Sequence, residues 1–578
     1  ALAQAGLTHV HLLPIFDIAT INEDPSQRQE PSVDELSAFP GDSEEQQALI
    51  NPLRDLDAFN WGYDPFHYTV PEGSYSTNPD GRTRIIEFRA AVQALNSIGL
   101  RVVMDVVYNH TNSSGQADRS VLDRIVPGYY HRLNANGGVE TSTCCQNTAT
   151  EHNMMERLMV DSVVTWARDY RVDGFRFDLM GHHMLDNMVA VRNALDALTL
   201  ENDGVDGQAV YVYGEGWNFG EVADNARGIQ ASQLNLGGTG IGSFNDRLRD
   251  GARGGPFENQ QAQQFLTGLY FTPNGVTEGD ADAQLARLLH DEDLIRIGLA
   301  GNLRDYVLVN AAGESVTGAE IDYNGSPAGY TLDPQENIIY ISAHDNLTIW
   351  DRIMLAAPAE ASIADRVRMN NVGHSIVALS QGVPFFHAGD ELLRSKSGDG
   401  NSYNSGDWFN RLDFTYQFNN WAVGLPIDRN NWEPLRGLLG NPDMMVTHDD
   451  IMASLSNFEE MLQIRRSSPL FRLQTAQDVM DHVSFLNTGP DQQPGVIVYV
   501  LSDTVEGADL DPNYQMVVVI FNASPDAITF SDESLAAMSF ELHPILQNSQ
   551  DAIVQTAAFA DGAFTVPGRT TAVFVVPQ

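Results

Sequence analysis

The sequence predicts an α/β protein: a (β/α)8 TIM-type barrel that is N-terminally truncated, its first strand absent, followed by an antiparallel β-sandwich. Three observations carry that expectation. Strand-like and helix-like segments alternate from Thr8 to His387, the pattern of βαβ units and a parallel sheet. The chain has 578 residues, too many for one ordinary small domain and enough for a barrel with long insertions. Beyond residue 470 strands recur without long helices between them. The boundary therefore falls between a barrel over 1–470 and an all-β domain over 471–578.

Each element has a local reason. Ala1–Ala5 reads as the end of a helix stopped by Gly6, and Thr8–Pro14 follows as a strand-like run. Ile85, Phe88, Val92 and Leu95 fall at helical spacing, Gly99 ends that helix, and Arg101–Val107 is a β-branched apolar strand. Met154–Asp169 is helical, then Val172–Phe177 is a strand; Val189–Leu200 is helical, then Ala209–Tyr213 is a strand. Ile338–Ile341 is another strand, and a helix over Ile363–Leu379 leads to Val383–His387. An open doubly wound sheet is the alternative, but no Gly-rich phosphate turn follows any strand. In the C-terminal part, Val496–Leu501, Met516–Phe521 and Thr571–Val576 are strands, punctuated by turns at Gly489-Pro490-Asp491 and Pro567-Gly568.

Composition narrows the function. Asp and Glu number 77 against 33 Lys and Arg, a net charge of −44. Such a surface repels phosphate backbones and anionic lipids, which argues against nucleic acid and membrane-surface partners. No apolar run is long enough to span a bilayer. Only one of the basic residues is a lysine, Lys396. The two cysteines, Cys144 and Cys145, are adjacent. They form either a vicinal bridge or, the reading favoured here, two partly buried thiols.

Four segments end a strand with acidic, His or Asn residues: Asp105–His110, Gly174–Asp178, Tyr213–Trp217 and Ser342–Asn346. Strand carboxyl ends share one rim of a parallel barrel. That rim would gather Asp178, Glu215 and Asp345 in one cleft. Two carboxylates on either side of an acetal are the machinery of glycoside hydrolysis: one protonates the leaving oxygen, the other attacks. Arg176, two residues before Asp178, faces the same way on a period-2 strand and would keep Asp178 ionised, leaving Glu215 as acid/base. Hard oxygen ligands for Mg²⁺ or Ca²⁺ are the rival reading. Helix N-capping explains one such segment alone but not all four in order.

These four segments, in this order, resemble the signature regions of the α-amylase family of glycoside hydrolases. Leu12–Asp17 and Gly382–Glu391 are similar to that family's second and eighth strands. The resemblance implies Asp178 as nucleophile, Glu215 as general acid/base and Asp345 as transition-state stabiliser. It also implies Arg176 as the residue that orients Asp178, His110 and His344 as sugar ligands, and Asp105 as their support. Phe59–Pro65 resembles the Tyr-Asn-Trp-Gly-Tyr-Asp-Pro motif of type I pullulanases, with Phe59 where Tyr is usual and Tyr63 placed to stack under a sugar. Cys144–His152, Gln233–Gly242, Leu392–Ser397, Ser405–Asn410 and Ser467–Phe471 look like pullulanase and limit dextrinase segments.

What this implies is a retaining hydrolase of α-1,6 branch linkages in pullulan, amylopectin limit dextrins and related α-glucans. The alternatives are an α-1,4-acting amylase or branching enzyme of the same family, or an inactive fragment or glucan-binding protein. Trp217 and Trp408 are further candidates for stacking on glucose. No cofactor is required and no metal ligands are assigned, although Ca²⁺ is compatible with Asn109 and the acidic loops. An extracellular or cell-surface location is expected, with the cytoplasm as the alternative.

Overall fold

A computed structural model describes residues 1–504 and 509–578. Among them, seven strands form one parallel sheet in chain order: β1 (His9–Leu12), β2 (Arg101–Val106), β3 (Gly174–Phe177), β4 (Tyr211–Gly214), β5 (Gly242–Phe244), β6 (Asn337–Ile339) and β7 (Val383–Pro384). β1 and β7 are the two edge strands of this sheet. The intervening helices include α1 (Thr83–Ser97), α2 (Asn153–Tyr170), α3 (Leu185–Asp196), α4 (Asp246–Arg253), α5 (Ala281–Leu299), α6 (Ile349–Ala356) and α7 (Ile363–Leu379).

The two faces of the sheet have different work. Val102, Met104, Phe175, Phe177 and Val212 share one core with Phe88 and Val92 of α1 and Val163 and Trp166 of α2. Val103, Tyr213, Phe244 and Ile338 form a second, separate cluster in the barrel interior. The period of 2 then sets the site. Asp105 has the same phase as Val103, and it pairs in register with Arg176, which pairs with Tyr213. A row of polar side chains therefore points inward from three adjacent strands, one layer beneath the rim.

Two elements escape sequence reading. β5 is three residues long and opens on Gly242, so no alternation can develop. Helix α5 buries Leu288, Ile295 and Ile297 but also Asp291, Glu292, Asp293 and Arg296, so it shows no single apolar stripe.

Helix α8 (His448–Ser467) closes the barrel part, and the first strand of the C-terminal domain begins at Val483. A five-stranded antiparallel sheet holds β8 (Val483–Leu486), β9 (Val496–Ser502), β10 (Tyr514–Asn522), β15 (Thr570–Pro577) and β12 (Glu541–Leu542), in that spatial order. A three-stranded sheet holds β11 (Ile528–Ser531), β14 (Ala563–Val566) and β13 (Ala558–Ala560). Phe530, Phe564 and Phe574 close the space between the two sheets.

The domain is fixed to the barrel through α5. Arg296, fully buried, donates to Asp293 at 2.8 Å, to Glu292 at 3.0 Å and to the carbonyl of Asn487 at 3.0 Å, and also reaches Gln492. Glu292 in turn accepts from the backbone of Gly495 at 2.6 Å. Replacing Arg296 with Ala leaves two carboxylates buried without their cation. It should cost about 3–5 kcal/mol, read as a lowered thermal midpoint with the C-terminal sheets losing protection from amide exchange first.

Candidate active site

Asp178 and Glu215 lie immediately beyond β3 and β4 and continue the parallel ladder. The Asp178 N–H donates to the Val106 carbonyl at 2.9 Å, and the Glu215 N–H to the Phe177 carbonyl at 3.1 Å. Each is two residues past an inward-facing side chain, Arg176 and Tyr213. Their carboxylates therefore stand one layer above the Asp105–Arg176–Tyr213 row.

One guanidinium joins the layers. Arg176, 3% exposed, contacts Asp105 at 2.9 Å, Asp178 at 3.3 Å and Glu215 at 3.0 Å. Burial opposes ionisation of Asp105, but the Arg176 charge and hydrogen bonds from His11 and Tyr63 hold its carboxyl below the usual value. Asp178 behaves differently from the sequence expectation. Burial pushes its carboxyl well up, Arg176 pulls it down, and the charges of Glu215 and Asp105 push it up again. Three carboxylates share one cation, so the open cleft favours retaining a proton rather than ionising Asp178 outright.

The surrounding side chains hold that cluster. Asn109 Nδ2 donates to the Asp178 carboxylate at 2.8 Å and to its carbonyl at 2.7 Å. The backbone N–H of Leu179 donates to Glu215 Oε2 at 3.0 Å. Tyr63 donates from its hydroxyl to Asp105 at 2.6 Å, with His344 Nε2 2.9 Å away. The rings of Tyr63 and His344 lie nearly parallel, 19° apart. His110 donates from Nε2 to the Tyr63 carbonyl at 2.8 Å. Burial lowers the pKa of His110 and pushes that of His344 to about 3, with the Arg176 charge adding to the second shift.

Asp345 comes in from the loop after β6, 3.9 Å from His344. About half of its side chain, 52%, is open to the cleft. The surrounding protein nevertheless pushes its carboxyl up by excluding bulk water, against the pull of Arg176 and Lys396.

Nine of the residues singled out from the sequence thus fall in one neighbourhood, Trp217 joining it through packing alone. It lies partly buried against the interior cluster of Tyr213 and Phe244. Trp408 is no stacking platform: it is 7% exposed, in a core with Leu36, Ile50 and Phe409, and its Nε1 donates to the Val423 carbonyl. The cysteines are not free thiols; Cys144 and Cys145 pair as a vicinal disulfide, and Cys144 lies 3.6 Å from His110.

Sequence reading missed His11, 3.4 Å from Asp105, and the Tyr213 hydroxyl, 3.1 Å from His11. His11 carried a signal in retrospect, as a polar residue inside a short strand that ends in the apolar pair Leu12-Leu13.

Among the described residues, two groups bring three ligand-type side chains together: Asp17 with Glu23 and Glu72, and His110 with Cys144 and Cys145. In the first, Arg84 pairs with Asp17 and Glu23, while Glu72 accepts from the backbone of Ile18 and Ser74. In the second the sulfurs are bonded to one another. Asn109 is engaged by Asp178 and His110.

A parallel barrel with carboxylates gathered around one arginine at its carboxyl rim defines the class of protein: a barrel built like the glycosidases. The profile described as alpha-1,6-glucosidases, pullulanase-type, C-terminal, matches residues 416–577. The chain is 50% identical to the chloroplastic pullulanase 1 of Arabidopsis thaliana, over 99% of this chain and 61% of that protein. The maltotriose complex of Klebsiella pneumoniae pullulanase superposes with a TM-score of 0.94 at 41% identity, covering 100% of this chain and 65% of the other. The Paenibacillus barengoltzii pullulanase does so with a TM-score of 0.71 at 30% identity, covering 100% and 70%. The chain belongs to the pullulanase family, within the larger α-amylase family. It spans about three fifths of the length of the curated relatives it matches first.

The ionised Asp105–Arg176 pair has a pH signature. A carboxyl held below its unfolded value stabilises the fold above that value, about 3.9 for Asp, and the contribution disappears as pH falls through the folded value. Arg176→Met removes it and leaves the carboxylate buried alone. The stability deficit, about 3–5 kcal/mol, should be full from neutral pH down to about pH 4 and should narrow only below that, measured by thermal melts from about pH 7 to about pH 3.

Proposed function

We propose that this chain hydrolyses α-1,6-glucosidic branch linkages in α-glucans, with retention at the anomeric carbon. The observation that carries this reading is the meeting of Asp178 and Glu215 on one guanidinium at the tips of neighbouring strands. Two carboxylates held side by side on one cation are placed to supply a proton donor and a nucleophile.

In the first step Glu215 gives its proton to the bridging oxygen, and the Asp178 carboxylate attacks the anomeric carbon to form a covalent glycosyl-enzyme. In the second, Glu215 takes a proton from water, which attacks the same carbon and frees Asp178. Asn109 and Arg176 both donate to Asp178 and so favour its ionised form at the moment of attack. Asp345, open to the cleft, would bind sugar hydroxyls and favour the distorted ring. Tyr63 would offer its face to the sugar, with His344, neutral, as a hydrogen-bonding partner and His110 holding the Tyr63 backbone from behind. Relatives crystallised with maltotriose, maltohexaose and α-cyclodextrin support an α-glucan as the ligand class.

Pullulan tests the reading. Maltotriose should be the product, and Asp178→Asn and Glu215→Gln should each lower kcat by at least about 10³-fold while the protein remains folded. Panose as product would assign α-1,4 hydrolysis instead, and a rise in branching would assign transfer. Unchanged turnover in Asp178→Asn would remove the nucleophile assignment.

A further inference from the structure

Lys396 is the sole lysine among 33 basic side chains, and it is 1% exposed. A chain that uses arginine everywhere else keeps an ammonium at one buried position beside the cleft. We propose that Lys396 is a positioning residue for Asp345: its ammonium clamps the two carbonyls that flank Asp345 and so fixes where that carboxylate projects into the cleft. The inference rests on the reading of Asp345 as a group that contacts substrate.

The geometry is specific. Lys396 Nζ donates to the His344 carbonyl and to the Asn346 carbonyl, both at 2.7 Å. These are the residues on either side of Asp345. The same nitrogen lies 5.4 Å from the centre of the Trp61 ring, a cation–π distance. Trp61 stands edge-on to the His344 ring at 4.7 Å. The turn it holds bends at Asn346, whose φ of 61° lies in the left-handed region that Asn tolerates.

Lys396 is itself anchored from behind. Its backbone N–H donates to Asp351 at 2.9 Å, and Ser395 Oγ donates to the other oxygen of Asp351 at 2.6 Å. Asp351 is fully buried in the first turn of α6. The path runs from a helix, through a buried ion, to the backbone that aims Asp345.

An arginine does not replace this contact. Its planar head is larger and needs donors spread in a fork, whereas an ammonium is a compact point donor that fits between two carbonyls under one ring face. Burial lowers the Lys396 pKa to about 8, with Asp399 opposing that shift and Arg394 adding to it, so the ion is charged at neutral pH.

The test compares wild type, Lys396→Met, Lys396→Arg, Asp345→Asn and the Lys396→Met/Asp345→Asn double variant, using pullulan turnover and amide hydrogen exchange over 343–347. Lys396→Met should lower kcat about 100-fold, the cost of a misplaced group, with KM changed less than about threefold. In the Asp345→Asn background the same change should lower residual turnover less than about threefold, because the two act as one unit. Exchange over 343–347 should quicken at least about tenfold while 337–339 stays protected. Lys396→Arg retains the charge that Asp351 and Asp399 face, so it provides a folded comparison if Lys396→Met unfolds; it should still lose about tenfold or more in kcat. Unchanged exchange over 343–347, a full 100-fold loss added on top of Asp345→Asn, or wild-type kcat in Lys396→Arg would each overturn the clamp. If the wild-type protein leaves pullulan intact, the function proposed above falls, and the exchange comparison still decides whether the clamp exists.

Discussion

One guanidinium allows the rest of this cleft to exist. Three carboxylates cannot be buried together without a counter-charge, since each would give up hydration worth several kcal/mol. Arg176 reaches all three from the middle strand of a row, because β2, β3 and β4 are parallel and in register. Its charge is enough to keep Asp105 ionised and not enough to hold Asp178 down as well. That shortfall is the useful part. It leaves Asp178 pushed toward its protonated form in the open cleft, with Glu215 on the same guanidinium.

The acidic composition takes on a different meaning once burial is considered. Of the 33 basic side chains, Arg132, Arg176, Arg247, Arg253, Arg296, Arg352, Arg366 and Lys396 are all less than 5% exposed. Several bind carbonyls rather than carboxylates: Arg366 donates to the backbone of Ile353, Met354, Pro358 and Ala361. The cations work inside, tying loops to helices, and the buried acids are more numerous still, so the acidic excess is shared between interior and surface. The α-glucan proposed above as substrate is uncharged, so an acidic surface neither attracts nor repels it. The polar groups that would recognise it are the fixed ones around Tyr63, His110 and His344.

Much of this could be read in the sequence. Alternating strands and helices marked the parallel barrel because β-branched strands beside helical periods leave few other solutions. The strand-end segments marked the cleft because topology sends strand carboxyl ends to one rim. Short or doubly buried elements left no such mark: β5 is too brief to alternate, and α5 is buried on faces that carry charge. Trp408 looked the same as Trp217 in the sequence, since an indole suits a core as well as a sugar. His11 was missed because its partner Asp105 lies 94 residues away in the chain.

By itself, then, the order of residues determined the barrel, the inward phase of Asp105 and Arg176, and the set of carboxylates at the rim, because strand period and βαβ handedness are local rules repeated many times. Only the folded chain decided how the charges are shared, that Cys144 and Cys145 join, and that a lone lysine reaches the backbone around Asp345. Those outcomes depend on which groups meet in space and how little water remains between them, and neither quantity is written in any local stretch of the polypeptide.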